Sequence, residues 1–269
     1  MLRQPGFIII LIMTGLLIFA AIFGPYLLPH DYATQNLANQ FASPSAEYPF
    51  GTDQYGRCIF CRIIYGSRIA LKVGLIAVGI EAVIGVTLGL ISGWYGGPID
   101  KVVQFVTDVT WAIPPIILSM AIIMLLEPSS ENIAISIALV SWGQLEKIVR
   151  SKTMALKNLS YIDAARIYGE SSANILFRYI LPNLLSTIVI MLTLALPGAM
   201  LSTTMMSFLG LGSQPPSPDW GMIVSEGVKY LRQSPWISIA TGLAILWAVL
   251  SFNLFGEKIK DLIDPKMRV

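Results

Sequence analysis

Charge is scarce in this chain. Asp, Glu, Lys and Arg make up 13% of its 269 residues, too few to cover a soluble globule of that length. Histidine occurs once, at His30, and cysteine twice, at Cys58 and Cys61, whereas a metal site normally recruits more such ligands. No Gly-x-x-x-x-Gly-Lys-Ser/Thr loop is present to cradle phosphates, so the chain is not expected to hydrolyse ATP itself. A His-Glu-x-x-His pair and a serine in a Gly-x-Ser-x-Gly turn are missing too, which argues against an intramembrane enzyme. The net charge of +2 gives no reason to expect nucleic acid as a partner.

Apolar residues are plentiful: 55% of the chain is hydrophobic and its mean hydropathy is +0.69, which places it in a lipid membrane. A hydrocarbon core about 30 Å thick needs about 20 mostly apolar residues per helical crossing. Six windows qualify, 7–28, 69–94, 102–126, 133–149, 184–204 and 237–255, the fourth being the shortest. They end at breakers such as Pro25, Gly96-Gly97-Pro98, Pro128 and Pro182. The second window is apolar on all sides, unlike the alternating strand of a barrel, so the fold class expected is an all-α membrane protein of about six transmembrane helices. The first window is too long for a signal-peptide core and Gly24-Pro25 is no cleavage site, so it reads as a retained helix. Twelve of the 18 basic residues, namely Arg3, Lys101, those at 147–178 and those from 258 onward, fall on one side of this topology. That asymmetry predicts both termini in the cytoplasm.

Two long segments then lie outside, 30–67 and 207–236, with enough aromatic residues and glycine to expect order despite no obvious secondary structure. Inside the spans, Glu81 and Asp108 are candidates for lining a solute path, for pairing with a neighbouring helix, or for sitting near the hydrated interface. Pro114-Pro115 should kink the third span. Cys58-Ile59-Phe60-Cys61 leaves three readings open: a soft-metal relay, a redox pair, or two small buried residues.

The stretch 161–183, YIDAARIYGESSANILFRYILPN, is where the apolar pattern gives way to charge and glycine. Ser160 with Asp163 has capping-box spacing, which predicts a helix from Tyr161 that Gly169 ends. Ser171 or Ser172 is placed to cap a second helix leading through Pro182 into the membrane. Small Ala164 and Ala165 would let a partner approach closely, so the segment can receive a push and pass it to the spans.

The order Asp163, Ala164-Ala165, Gly169, Leu181-Pro182 resembles the cytoplasmic coupling segment of ABC importer permeases, with Asp163 where Glu is usual. PFGTDQYGR at 49–57, SFLGLG at 207–212, the 218–221 run Pro-Asp-Trp-Gly, and Phe252-Asn253-Leu254 with Asp264-Pro265 are similar to the C-type permease of the peptide and nickel uptake branch. Where that family more often has Asp and Ser, this chain has Cys58 and Cys61. The resemblance implies a type I importer permease fold, with an N-terminal helix and extracytoplasmic loop at 1–68, a core permease domain at 69–269 and a coupling segment at 160–182. It implies that Asp163, Ala164, Ala165, Gly169, Glu170 and Ser171 couple to ATPases. Gly51, Thr52, Asp53, Gly56, Arg57, Trp220 and Gly221 would meet the binding protein or shut an outer gate. The implied partners are a second, B-type permease, two ABC ATPase subunits that bind ATP and Mg²⁺, an extracytoplasmic solute-binding protein and the lipid of the inner membrane. The implied cargo is a di- or oligopeptide, with nickel or a nickel chelate as alternative. A passive channel or secondary transporter fits the hydropathy but needs no coupling helix.

Overall fold

The computed structural model describes residues 5–263, so Arg3, Asp264-Pro265, Lys266 and Arg268 lie outside the described residues. Among those described the chain is helical, with one isolated bridge between Thr52 and Cys58. The long helices are α1 (Pro5–Leu27), α2 (Ile59–Tyr95), α5 (Ser130–Leu156), α8 (Leu181–Phe208) and α10 (Trp236–Ile263). Between them lie α3 (Gly97–Ala112), α4 (Pro115–Leu126), α6 (Ser160–Ile167), α7 (Ser172–Ile175) and α9 (Trp220–Val228).

Four helical stretches are individually long and apolar enough to cross a membrane: α1, α2, α10, and the run from α7 into α8. The third expected span is a broken one, because α3 and α4 meet at 96° across Ile113 and Pro114. Two adjacent prolines remove two amide donors, and the residue before a proline is driven to extended backbone, so the expected kink becomes a break. The fourth expected window sits inside α5, whose Glu131, Glu146, Lys147, Arg150 and Lys152 make it the least apolar of the long helices. Burial against its neighbours compensates. The division expected at 68/69 falls within α2, which begins ten residues before the window of high hydropathy because its first turns bury Ile59, Cys61, Arg62 and Ile63 against polar loops.

Helices α2 and α5 run parallel and in step. A Cβ on Gly85, Gly89 or Gly93 would stand 2.9, 2.8 and 2.7 Å from the carbonyl oxygens of Trp142, Glu146 and Arg150. Small residues one turn apart thus let the two backbones approach as side chains would not, the usual route to close helix packing in lipid. One apolar cluster, around Leu90, Trp94, Leu145, Ile162, Ile180 and Leu184, joins this seam to α6 and the start of α8. A larger one at the far end joins α2, α8, α9 and α10 through Ile59, Val73, Met206, Trp220 and Ile237.

Before α8 the chain takes a π-helical turn, Leu176–Ile180. Pro182 has no amide to give Arg178, so the backbone shifts register there, and the Asn183 side-chain amide donates to the Tyr179 carbonyl at 2.6 Å. Gly89→Ala is expected to cost about 1–3 kcal/mol through overpacking. Gly79→Ala, at a helix position with nothing within 4 Å, is expected to be neutral. Thermal unfolding of the detergent-solubilised protein should separate the two.

Candidate functional site

Helix α6 is fastened by one face and free on the other. Ile162 and Ala165, three residues apart, are buried, and Arg166 stacks 4.7 Å from the Trp94 ring centroid at the end of α2. Lys157 ties the preceding turn to α2 by donating to the Gly93 carbonyl at 3.0 Å. Ala164 faces outward beside Asp163, while Ile167 and Tyr168 are 84% and 88% exposed. The two alanines therefore divide: Ala165 packs into the chain's own core, and Ala164 alone is open to a partner.

Gly169 ends α6 as its sequence position predicts, at φ +81, and its amide donates to the Arg166 carbonyl while that of Glu170 reaches back to Ala165. Both bonds together make a Schellman stop. The capping box does not form. Ser160 is already the first helical residue, Leu159 stands at the cap without a side-chain bond, and Asp163 pairs with Arg166 at 3.2 Å. Ser171 does cap α7, its hydroxyl accepting from the Asn174 amide at 3.2 Å, and Glu170 contacts the Asn174 side chain.

At the opposite end the segment before α2 folds back on itself. The Asp53 carboxylate accepts amides of Tyr55 (2.9 Å) and Arg57 (3.0 Å), while Gly51 and Gly56 turn the chain at φ +74 and +68. Arg57 Nε donates to Asp53 at 2.6 Å and its Nη2 to Glu226 of α9 at 3.1 Å. Arg62 lies 3.8 Å from Asp53 and 3.7 Å from Glu226 and is 1% exposed, held by charge with no hydrogen bond among the described residues. Two arginines and two carboxylates thus lock the first long segment to the second. Trp220 completes the joint by donating its indole N–H to the Ile63 carbonyl at 2.9 Å, over Gly66. Asp219 caps α9 through Gly221 and accepts from Ser207; burial pushes its carboxyl above the ordinary carboxylate range, and those two bonds oppose the shift.

All seven residues expected to meet the binding protein or shut an outer gate, Gly51, Thr52, Asp53, Gly56, Arg57, Trp220 and Gly221, are buried in this chain. They build the scaffold, and the surface over it consists of neighbours such as Tyr55, Phe50 and Val228. The second segment also contains a helix, α9, that its composition did not announce.

Cys58 has a defined local job. It is the N-cap of α2, its sulfur accepting the Cys61 amide at 3.2 Å, which is the place and role of a capping aspartate. The side-chain hydrogen bond from Cys61 holds the Cys58 thiol below the usual thiol range, against the opposing effect of burial. Both cysteines are buried and unlinked. His30 stacks on Tyr48, which packs against the pair, yet no three potential ligands converge among the described residues.

Glu81 is buried between α2 and α5 beside Ser141, while Asp108 is open and pairs with Lys147 at 2.9 Å. Sequence reasoning passed over Glu146, which is fully buried and accepts from Ser92 (2.8 Å) and Gln104 (3.0 Å) across three helices. It also gave no role to Glu226, and none to Lys147 beyond its part in the charge asymmetry. A carboxylate inside an otherwise apolar window was the available signal for Glu146; Glu226 had none, since only folding brings it to Arg57. Removing that partner, in Glu226→Ala, leaves two buried guanidinium groups on one carboxylate and should destabilise by roughly 3–5 kcal/mol. Chemical denaturation of the purified protein measures this, and a variant as stable as wild type would show that the cluster is not dry.

Residues 85–269 match the family described as binding-protein-dependent transport system inner membrane component, and residues 1–44 the N-terminal TM domain of oligopeptide transport permease C. The chain is 41% identical over 258 residues to the dipeptide transport system permease protein DppC of Alkalihalophilus pseudofirmus, spanning 96% of this chain and 85% of that one. It is 37% identical to the glutathione transport system permease protein GsiD of Pectobacterium atrosepticum, spanning 94% and 84% of the two chains. To the oligopeptide transport system permease protein OppC of Bacillus subtilis it is 34% identical, spanning 96% and 85%. Among solved structures, the inward-facing MetNI methionine ABC transporter superposes with a TM-score of 0.61 at 17% identity, covering 76% of this chain and 96% of that chain, and so shares the fold. With family matches along its length and a helical bundle of the importer-permease type, the chain belongs to the binding-protein-dependent ABC transporter permeases of the inner membrane.

Proposed function

We propose that this chain and a second permease together form the path by which short peptides enter the cell. Separate ATPase subunits drive the cycle, ATP and Mg²⁺ being bound there and not by this chain, and an extracytoplasmic binding protein delivers the cargo. The observation that carries this reading is α6: a short rod pinned to α2 and the inner cluster on one face, with Ala164, Ile167 and Tyr168 bare on the other. Exposed apolar side chains grouped on one face mark a partner-binding surface, and this one lies beside the basic helix ends, which supports a cytoplasmic location. The same orientation puts both termini inside, counts α3–α4 and α5 as one crossing each to give six, and leaves the joint of Asp53, Arg57, Arg62 and Glu226 outside beneath a binding-protein surface.

Nucleotide can drive the switch between outward and inward access only by favouring one arrangement of the motor over the other. Motion of α6 would reach the bundle through Arg166 on Trp94, Lys157 on Gly93, and the unbroken run from Ser172 into α8. Short peptides rank ahead of nickel because the relatives described above are named for dipeptides, oligopeptides and glutathione.

The test is reconstitution of the complete importer in vesicles, measuring ATP-dependent uptake of labelled dipeptide against nickel. Peptide uptake is expected. Tyr168→Glu, which alters a side chain making no core contact, is expected to reduce it at least ten-fold while the permease stays folded and the subunits still copurify, or only the ATPases are lost. Uptake equal to wild type would remove α6 from the coupling role.

A further inference from the structure

A cavity of about 520 Å³ opens between the α3–α4 break, α5 and α8. Its walls are mostly apolar, with Trp111 and Met205 among them, but Ser119, Ser141, Gln144 and Ser202 also line it. It therefore offers hydrogen-bonding groups within an apolar chamber, the usual composition of a small-molecule site. One helical turn along from this lining, on the same two helices, stand Asp108 (three residues before Trp111) and Lys147 (three after Gln144). The lysine ammonium is 2.9 Å from the Asp108 carboxylate and 4.6 Å from the centre of the Trp111 ring.

This pair differs from the buried ion pairs of the bundle. Arg150 grips Asp100 with two bonds of 2.5 and 2.6 Å between partners that are mostly buried, and the arginines near Asp53 are enclosed. In the Asp108–Lys147 pair, which joins α3 to α5, the side chains remain 67% and 37% exposed among the described residues. Opposite charges left open at the depth of a broken membrane helix do not belong against lipid; they belong against water or a polar solute. An exposed pair is also weak, worth about 0–1 kcal/mol, so it can part and re-form at little cost.

Resting on the peptide reading above, we infer that Asp108, Lys147 and Trp111 form, with the cavity they adjoin, a transit site for a zwitterionic short peptide. The pair carries one charge of each sign, and so does the solute. Lys147 takes the peptide carboxylate, Asp108 takes the terminal ammonium, and the apolar chamber beside Trp111 receives a side chain, with Ser141 and Gln144 in reach of the peptide amide. Exchanging one weak ion pair for two of the same kind binds the solute without trapping it, which a conducting path requires. Glu81, buried behind Ser141, supports the wall and does not enter it.

The complete importer in vesicles, supplied with radiolabelled alanyl-alanine, tests the assignment. Lys147→Met and Asp108→Asn should each lower the maximal uptake rate at least five-fold, with the half-saturating concentration unchanged because the binding protein sets it. Lys147→Arg should retain more than half the rate. Lys72→Met, which breaks an equally exposed pair with Glu131 at the far end of the bundle, should transport like wild type. A photo-crosslinking residue at Trp111 should label the peptide during turnover. Unchanged maximal rates in both charge variants would overturn the site. So would loss of the second permease from the purified Lys147→Met complex, or crosslinks to that subunit alone, since these make the pair a subunit contact. Wild-type uptake of nickel without dipeptide would instead overturn the cargo reading, and the site with it.

Discussion

Helices α2 and α5 touch along Gly85, Gly89 and Gly93 because those residues put no side chain of α2 between the backbones, and the rest of the bundle is hung on that seam. In lipid there is little hydrophobic drive to press helices together, so close approach and the dispersion contacts that come with it are what remains. The seam makes one body of two parallel helices. At one end that body carries the cluster into which α6 inserts Ile162 and Ala165; farther along it carries Ser141 and Gln144 of the cavity wall. The proposed coupling segment and the proposed path are therefore attached to the same pair of helices, so a displacement at one would be available to the other without a flexible link between them.

Charge is used in two opposite ways. Around Arg57 and Arg62 it is enclosed, with two carboxylates balancing two guanidinium groups, and enclosure makes the joint costly to open. At Asp108 and Lys147 it is left open and is cheap to open. Enclosed and open charge pairs thus coexist in a chain with few charges. Cys58 shows the same economy on a smaller scale: a thiol serves as helix cap where a carboxylate would add yet another buried charge beside Asp53.

Much of the fold was legible locally. All six apolar windows fall on helices, because a span needs only length and hydropathy. Gly169 was readable as a stop because a left-handed residue suits glycine, and Pro114-Pro115 as a break because two amides are missing. Errors came where a neighbour decided. The start of α2 lay ten residues upstream of its hydropathy signal, since Arg62 is tolerated there only with Asp53 and Glu226 close by. Ser160 looked like a cap and is not one, because Leu159 already holds the cap position. Gly51, Thr52, Asp53, Gly56, Arg57, Trp220 and Gly221 were named for a binding-protein contact or an outer gate on the resemblance of their segments, and only the fold showed that they are buried.

The sequence alone determined that the chain is a helical membrane protein with a charged, glycine-stopped segment between two spans, since burial in lipid and backbone conformation are properties of short stretches. Only the tertiary structure decided which face of that segment is free, which carboxylate answers Arg57, and that Asp108 and Lys147 meet beside a cavity. Those facts depend on distances between residues far apart in the chain, and a distance of that kind is set by packing, which no single stretch of sequence contains.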